Sequence, residues 1–351
     1  MPNPDAPPGQ RAIALWLLIL CAMVFVMVVL GGLTRLTHSG LSMVEWRPIT
    51  GWLPPLNDAQ WQQAFDHYRR FPEYRAYNSG MTVEEFMEIF WLEYLHRLWG
   101  RLMGLAFLVP FVVFCVRGWV DRSLGAKLFG AFVLGGLQGA LGWYMVASGL
   151  VDRPDVSQYR LTAHFLAALA IYGYMLWLAL TLLLPRTEPA DGAGGLSSGL
   201  YRGSLAVSAL ALLTLVSGGF VAGLDAGFAY NTFPLMDGEI LPDAAYGLSP
   251  WYINPFEDVT TVQFNHRILA TATVVAVIAF WSASRQATLS KRVRIATIHL
   301  MVMVMVQAGL GIATLLMRVP VALGSLHQAG AVLLFSAALW TVFELRQAAR
   351  N

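Results

Sequence analysis

The chain has 351 residues, 57% of them from the AVILMFWYC set and 13% charged, with a formal net charge of +2. Soluble domains average about 25% charged residues, and here the apolar residues gather in runs of about 20, long enough to cross a bilayer as helices. A soluble enzyme, a disordered chain and a secreted disulfide scaffold are excluded. So is a nucleic-acid partner, since only two lysines are present and the charge is nearly balanced.

The expected architecture is an all-α polytopic membrane protein with eight transmembrane helices forming two pseudo-symmetric four-helix bundles. In chain order the predicted spans are Ala12–Leu33, Leu92–Val116, Leu124–Val146, Tyr159–Leu184, Tyr201–Ala222, Val262–Ser282, Val293–Met317 and Val321–Phe343. The first is too long, and too poor in a small-residue cleavage site, for a removed signal peptide. The residues before Arg11 are Pro-rich and lack Arg, unlike a transit peptide, so a bacterial inner membrane is expected. Cys21 and Cys115 lie inside apolar runs and read as small core residues.

With the N-terminus placed in the cytoplasm, that side collects 12 basic and 5 acidic residues, a net of +7, against −5 for the rest. Basic loops stay inside, which predicts that both termini are cytoplasmic. The outer loops, about 34–91 and 223–261, are long. In the first, Asn57–Arg70 places Trp61, Phe65 and Tyr68 on one face, as an interfacial helix would. Thr82 with Glu85 has the spacing of a capping box, so a helix starting there could run into the second span. The Pro/Gly/Ser-rich stretch 185–200 reads as a cytoplasmic linker between an N-terminal half, 1–184, and a C-terminal half, 201–351.

The two halves echo each other. Leu30-Gly31-Gly32 is matched by Ser217-Gly218-Gly219, Glu93-x-x-His96-Arg97 by Gln263-x-x-His266-Arg267, Gln138-x-x-Leu141-Gly142 by Gln307-x-x-Leu310-Gly311, and His164 by His327. Four spans per half make the repeats parallel rather than inverted. His38 and His67 fall in the first outer loop, where an imidazole needs no special account, and His299 reads as hydrogen-bonded within a helix bundle.

His96, His164, His266 and His327 differ from these. They stand one each on spans two, four, six and eight, all running inward from the outer face, and each lies about 6–9 Å past its predicted helix start at 1.5 Å per residue. Ionisable side chains within spans are expensive and usually functional. Two opposed imidazoles across a bundle suit haem iron, whereas zinc would want further ligands. The bland alternative is a polar contact gluing helices. Gly100, Gly104, Gly135 and Gly139 give small-residue faces that would support a haem between helices, with ordinary close helix packing the better explanation. Arg97 and Arg267 are candidate haem-propionate contacts, with snorkelling to the surface the alternative.

The halves also differ. Glu93 lies one turn outward from His96 on the same helix face, and its match is Gln263. Near a haem edge a carboxylate can take a proton, orient a water or stabilise positive charge on a substrate carbon. A solvated interfacial carboxylate is the alternative.

These residues, with Gly31-Gly-Leu-Thr-Arg-Leu36, Ser39-Gly-Leu-Ser-Met-Val-Glu-Trp46, Gly218-Gly-Phe-Val-Ala-Gly223, Asn231-Thr-Phe-Pro-Leu-Met236, Asn265-His-Arg267 and Leu326-His-Gln328, resemble the haem A synthase family over essentially the whole chain. The resemblance implies haem b as cofactor between His266 and His327, and substrate haem O between His96 and His164. It implies oxidation of the C8 methyl group of haem O to a formyl group by successive hydroxylations with water-derived oxygen, with Glu93 as catalytic carboxylate. It further implies haem O synthase as donor and the cytochrome oxidase assembly pathway as recipient of haem A, leaving the electron acceptor and any homo-oligomer open. The outer loops contain no cysteine, as in the cysteine-free bacterial and mitochondrial type, which excludes a loop disulfide as redox partner. His38 stands where relatives commonly carry a carboxylate. The rival classes are a quinol-linked dihaem b-type electron carrier and a repeat-built transporter. The first is disfavoured because each histidine-bearing helix of the set has one such residue, all on the outer side. The short cytoplasmic links disfavour the second.

Overall fold

The computed structural model describes residues 9–46, 50–149, 156–184 and 194–349. In chain order the α-helices are α1 (Gln10–Leu36), α2 (Asp58–Tyr68), α3 (Pro72–Tyr77), α4 (Val83–Val116), α5 (Arg122–Gly149), α6 (Gln158–Leu183), α7 (Gly194–Gly223), α8 (Asn254–Glu257), α9 (Val259–Ser284), α10 (Lys291–Leu316) and α11 (Val321–Ala349). Among the described residues no strand forms beyond one isolated bridge, Met236 with Glu239. Eight helices, α1, α4, α5, α6, α7, α9, α10 and α11, are long and apolar enough to cross a membrane. All eight predicted spans are present.

Two boundaries sharpen the expectation. The second span, placed from Leu92, extends further outward, as the capping-box spacing allowed. Its helix begins at Val83, because Thr82 Oγ1 accepts from Glu85 N and Glu85 Oε2 accepts from Thr82 N at 2.8 Å, a reciprocal cap. The added turns carry Phe86 and Phe90 outward. There they form an aromatic cluster with Tyr94 and with Trp61, Phe65 and Tyr68 of α2. The apolar face of α2 is therefore buried against α4 instead of lying on a membrane surface. At the link, residues 185–193 lie outside the described residues, and 194–200 already belong to α7.

The chain divides into two compact units, Met1–Leu18 with Tyr172–Asn351, and Ile19–Ile171. The dividing points fall inside α1 and α6, not at the linker. Within the first of these units Gln10 Nε2 donates to the Leu182 carbonyl at 3.1 Å, and Tyr172 Oη pairs with Ser336 Oγ at 2.7 Å. Trp177 stands edge-on to Phe343, so the inner part of α6 is tied to α11. The core of that unit is aliphatic, built from Val277, Val293, Leu300 and Leu345 among others. Arg292 holds the fully buried Glu344 at 2.8 Å, and Trp340 Nε1 donates to the same carboxylate.

Candidate functional site

Each of the four repeat-matched histidines lies against a glycine on another helix. A Cβ on Gly31 of α1 would stand 3.2 Å from His96 Cε1 of α4, and one on Gly218 of α7 the same 3.2 Å from His266 Cε1 of α9. On Gly142 of α5 it would stand 2.9 Å from His164 Cε1 of α6, and on Gly311 of α10 it would stand 2.8 Å from His327 Cε1 of α11. Contacts below about 3.0 Å cannot be accommodated without a shift in a close-packed interior. The glycines are ring seats. His96 and His164 belong to one unit, and His266 and His327 to the other.

A second device repeats with the seats. Gln138 Nε2 donates to the His164 backbone carbonyl at 2.8 Å, and Gln307 Nε2 to that of His327 at 2.9 Å. These matched glutamines pin the backbone beneath each ring.

The ring nitrogens are treated differently. His266 Nδ1 lies 2.8 Å from Ser217 Oγ, and His327 Nδ1 lies 3.1 Å from the Gln307 amide. His96 Nδ1 and His164 Nδ1 are buried without a hydrogen-bond partner.

Outside the rings, two arginines do the same work in both units. Arg97 donates to the Met43 and Glu45 carbonyls at 2.6 and 2.8 Å, and Arg267 to those of Tyr230 and Thr232, both at 2.8 Å. Each thus straps the loop that follows its seat helix onto the histidine-bearing helix. Glu93 and Gln263 complete the straps. The buried Glu93 carboxylate accepts from Arg97 at 2.5 Å, Ser42 Oγ at 2.8 Å and Met43 N at 2.6 Å. Gln263 instead donates to the Ala226 and Tyr230 carbonyls at 2.8 and 3.1 Å. Glu93 is buried and fully hydrogen-bonded, so the solvated-interface alternative does not hold.

Other residues resolve as follows. His38 has φ of +50° and its repeat match Asp225 has φ of +52°. His, Asp and Asn are the non-glycine residues enriched in that left-handed region, which accounts for a histidine at one place and an aspartate at the other. His38 also stacks on Tyr77, and His67 Nδ1 lies 3.3 Å from Glu45. His299 hydrogen-bonds the Ile295 carbonyl at 2.8 Å and stands edge-on to Trp340. The glycine-packing expectation fails at three of four positions. A Cβ on Gly100 would meet Met27 at 3.1 Å, whereas one on Gly104, Gly135 or Gly139 would meet nothing within 4 Å. The functional glycines are instead the four seats, which the repeat itself marks.

Eight apolar helices and two repeated histidine pairs, each ring on a glycine seat, define a polytopic membrane protein with paired imidazole sites. The chain belongs to the COX15-CtaA family of cytochrome oxidase assembly proteins, whose profile matches residues 14–339. It is 54% identical over 338 residues to Heme A synthase of Nitrosospira multiformis, covering 96% of this chain and 94% of that protein. It is 49% identical to Heme A synthase of Paramagnetospirillum magneticum over 96% of this chain and 94% of that one. With Heme A synthase COX15 of Bos taurus the identity is 44%, over 97% of this chain and 83% of the bovine protein.

Proposed function

We propose that this protein is a haem A synthase, oxidising a methyl group of haem O to the formyl group of haem A. What carries the reading is the repeated pair of glycine-seated histidines in a chain 54% identical to a Heme A synthase. On this reading His266 and His327 hold haem b, and His96 and His164 receive haem O. The residues fit such a group. Each pair offers two imidazoles, the donor set that a bis-histidine haem uses, and Ser217 Oγ at 2.8 Å from His266 Nδ1 leaves that ring's Nε2 for iron. Among the described residues no cluster of three or more His, Cys, Asp or Glu forms, as a zinc-type site would need. Haem b, when bound, supplies a redox centre through which electrons leave.

Each hydroxylation adds the oxygen of a water to the C8 methyl carbon and releases two electrons and two protons. A second one gives the hydrated aldehyde, which loses water to become the formyl group. Glu93 stands one turn outward from His96 with both oxygens occupied by donors, so its contribution is a fixed negative charge beside the carbon from which electrons are withdrawn. Through Arg97 it also holds residues 43–45 of the outer loop over this end of the site. Arg97 and Arg267 are both engaged by their loops and by Glu93 or Gln263, and the buried Arg267 Nε, which has no partner, is the N–H left for a haem propionate.

The protein is a multi-pass membrane protein. We place it in the bacterial inner membrane with both termini cytoplasmic, on the inner excess of basic residues. Haem O synthase is the proposed donor and the cytochrome oxidase assembly pathway the proposed recipient. Pigment extraction from the purified protein tests the reading. Haem B together with haem O or haem A is expected, and haem B alone would point to the dihaem electron carrier. A phosphatase fused after Asn351 should be inactive and one in the 34–91 loop active. The reverse would overturn the orientation.

A further inference from the structure

The two histidine pairs share their glycine seats and glutamine pins but part company at the ring nitrogen nearest the seat helix. Ser217 has a single hydroxyl proton. Its oxygen lies 2.7 Å from the Thr214 carbonyl, a group that can only accept, so that proton is committed there. Toward His266 Nδ1, 2.8 Å away, Ser217 Oγ therefore presents a lone pair, and Nδ1 carries the hydrogen. An imidazole protonated at Nδ1 presents its lone pair at Nε2, where iron would bind, and an acceptor at Nδ1–H strengthens and orients it as a ligand.

The residue matching Ser217 in the other unit is Leu30, whose side chain can neither donate nor accept. His96 Nδ1 accordingly has no partner, and neither has His164 Nδ1, since Gln138 reaches only the His164 backbone. His266 is braced by an acceptor at Nδ1, and the His96–His164 pair is bare.

We infer that Ser217 is the positioning residue that makes His266 a lasting iron ligand, and that Leu30 at the matching place leaves the His96–His164 pair releasable. The inference rests on the assignment of a resident haem to His266 and His327. The difference suits the two tasks. A resident redox centre must stay, whereas a haem that enters as substrate must leave as product. Outer hydrogen bonds of this type change metal affinity by about 10–100-fold.

The test uses the whole protein, purified with its haem in detergent, as wild type, Ser217→Ala, Ser217→Thr and Leu30→Ser. Two quantities are read: the rate of haem transfer to excess apomyoglobin, and the midpoint potential of the His266-dependent haem in an optical redox titration. Ser217→Ala should release that haem about 10-fold faster and titrate at a higher potential, because a less basic imidazole stabilises ferric iron less. Ser217→Thr, which keeps the hydroxyl, should restore both values. Leu30→Ser should slow release of haem from the His96–His164 pair. Unchanged release and potential in Ser217→Ala, with a His266-dependent haem present in the wild type, would overturn the role of Ser217 and leave the haem assignment standing. If His266→Ala leaves haem content and spectrum unaltered, the assignment itself falls, and the inference with it.

Discussion

The two histidine-bearing parts of the molecule are alike wherever geometry is set and unlike wherever charge and hydrogen-bonding are chosen. Both seat their rings on glycines, both pin a histidine backbone with a glutamine, and both strap an outer loop with an arginine. They differ at Glu93 against Gln263 and at Leu30 against Ser217. A repeat of this kind separates two requirements that are usually entangled. What the halves share is what it takes to hold an imidazole at one place in a helix bundle. On the proposed reading, what they do not share is what would distinguish a reacting site from a resident one.

Four experiments would break or sharpen this comparison. The largest effect belongs to the ligands. His266→Ala or His327→Ala should abolish haem b binding, read from the reduced-minus-oxidised spectrum and the extracted pigment, because one axial imidazole of a pair is removed. His96→Ala and His164→Ala should leave that spectrum in place and stop haem A production.

Next comes the asymmetric carboxylate. Glu93→Gln keeps size but trades one accepting oxygen for an NH2, and it recreates the pairing of Gln263 with Arg267, an arrangement the other unit already tolerates at 3.4 Å. Haem b should remain bound while haem A formation falls about 10²–10³-fold, the usual scale for losing one preorganised electrostatic group. Gln263→Glu should leave the reaction largely intact. Equal haem A yields from wild type and Glu93→Gln at equal abundance would return Glu93 to a purely loop-holding role.

The arginine straps should differ in strength. Arg97 and Glu93 side chains are 8% and 4% exposed, so Arg97→Ala strands a buried carboxylate and should cost about 3–5 kcal/mol. Arg267→Ala removes hydrogen bonds from a neutral partner that keeps the Ala226 and Tyr230 carbonyls, a loss of about 1–3 kcal/mol. Thermal unfolding of both variants in one detergent measures the gap, and equal losses would mean that the charge on Glu93 is immaterial to the strap.

The smallest effect concerns the seats. Gly311→Ala puts a methyl 2.8 Å from the His327 ring and should cost about 1–3 kcal/mol of overpacking, read as weaker haem retention. Gly218→Ala, at 3.2 Å, should cost less. Gly104→Ala meets nothing within 4 Å and should be neutral or mildly stabilising, since alanine is the better helix former.

Much of this was legible before any coordinates. Spans are set by length and apolarity, because a helix in hydrocarbon must satisfy its own backbone and needs about 20 apolar residues to do so. The four histidines stood out in the sequence because the repeat gave each an internal control. The cap at Thr82 is a local signal read within three residues, and the structure bears it out. The burial of α2 was not legible. An amphipathic stripe of Trp61, Phe65 and Tyr68 says that one face seeks apolar surface, but not whether lipid or the aromatics of α4 supply it.

The sequence by itself thus determined the class of fold, the repeat, and the residues that repeat or fail to repeat, since all of these are carried by composition, period and order along the chain. The tertiary structure alone decided which glycines matter, which atoms Glu93 and the arginines hold, and which ring nitrogens have partners. Those are contacts between helices whose residues lie tens to hundreds of positions apart. A glycine facing open space and a glycine facing an imidazole read identically in the chain, and only the neighbour that packing brings to them tells them apart.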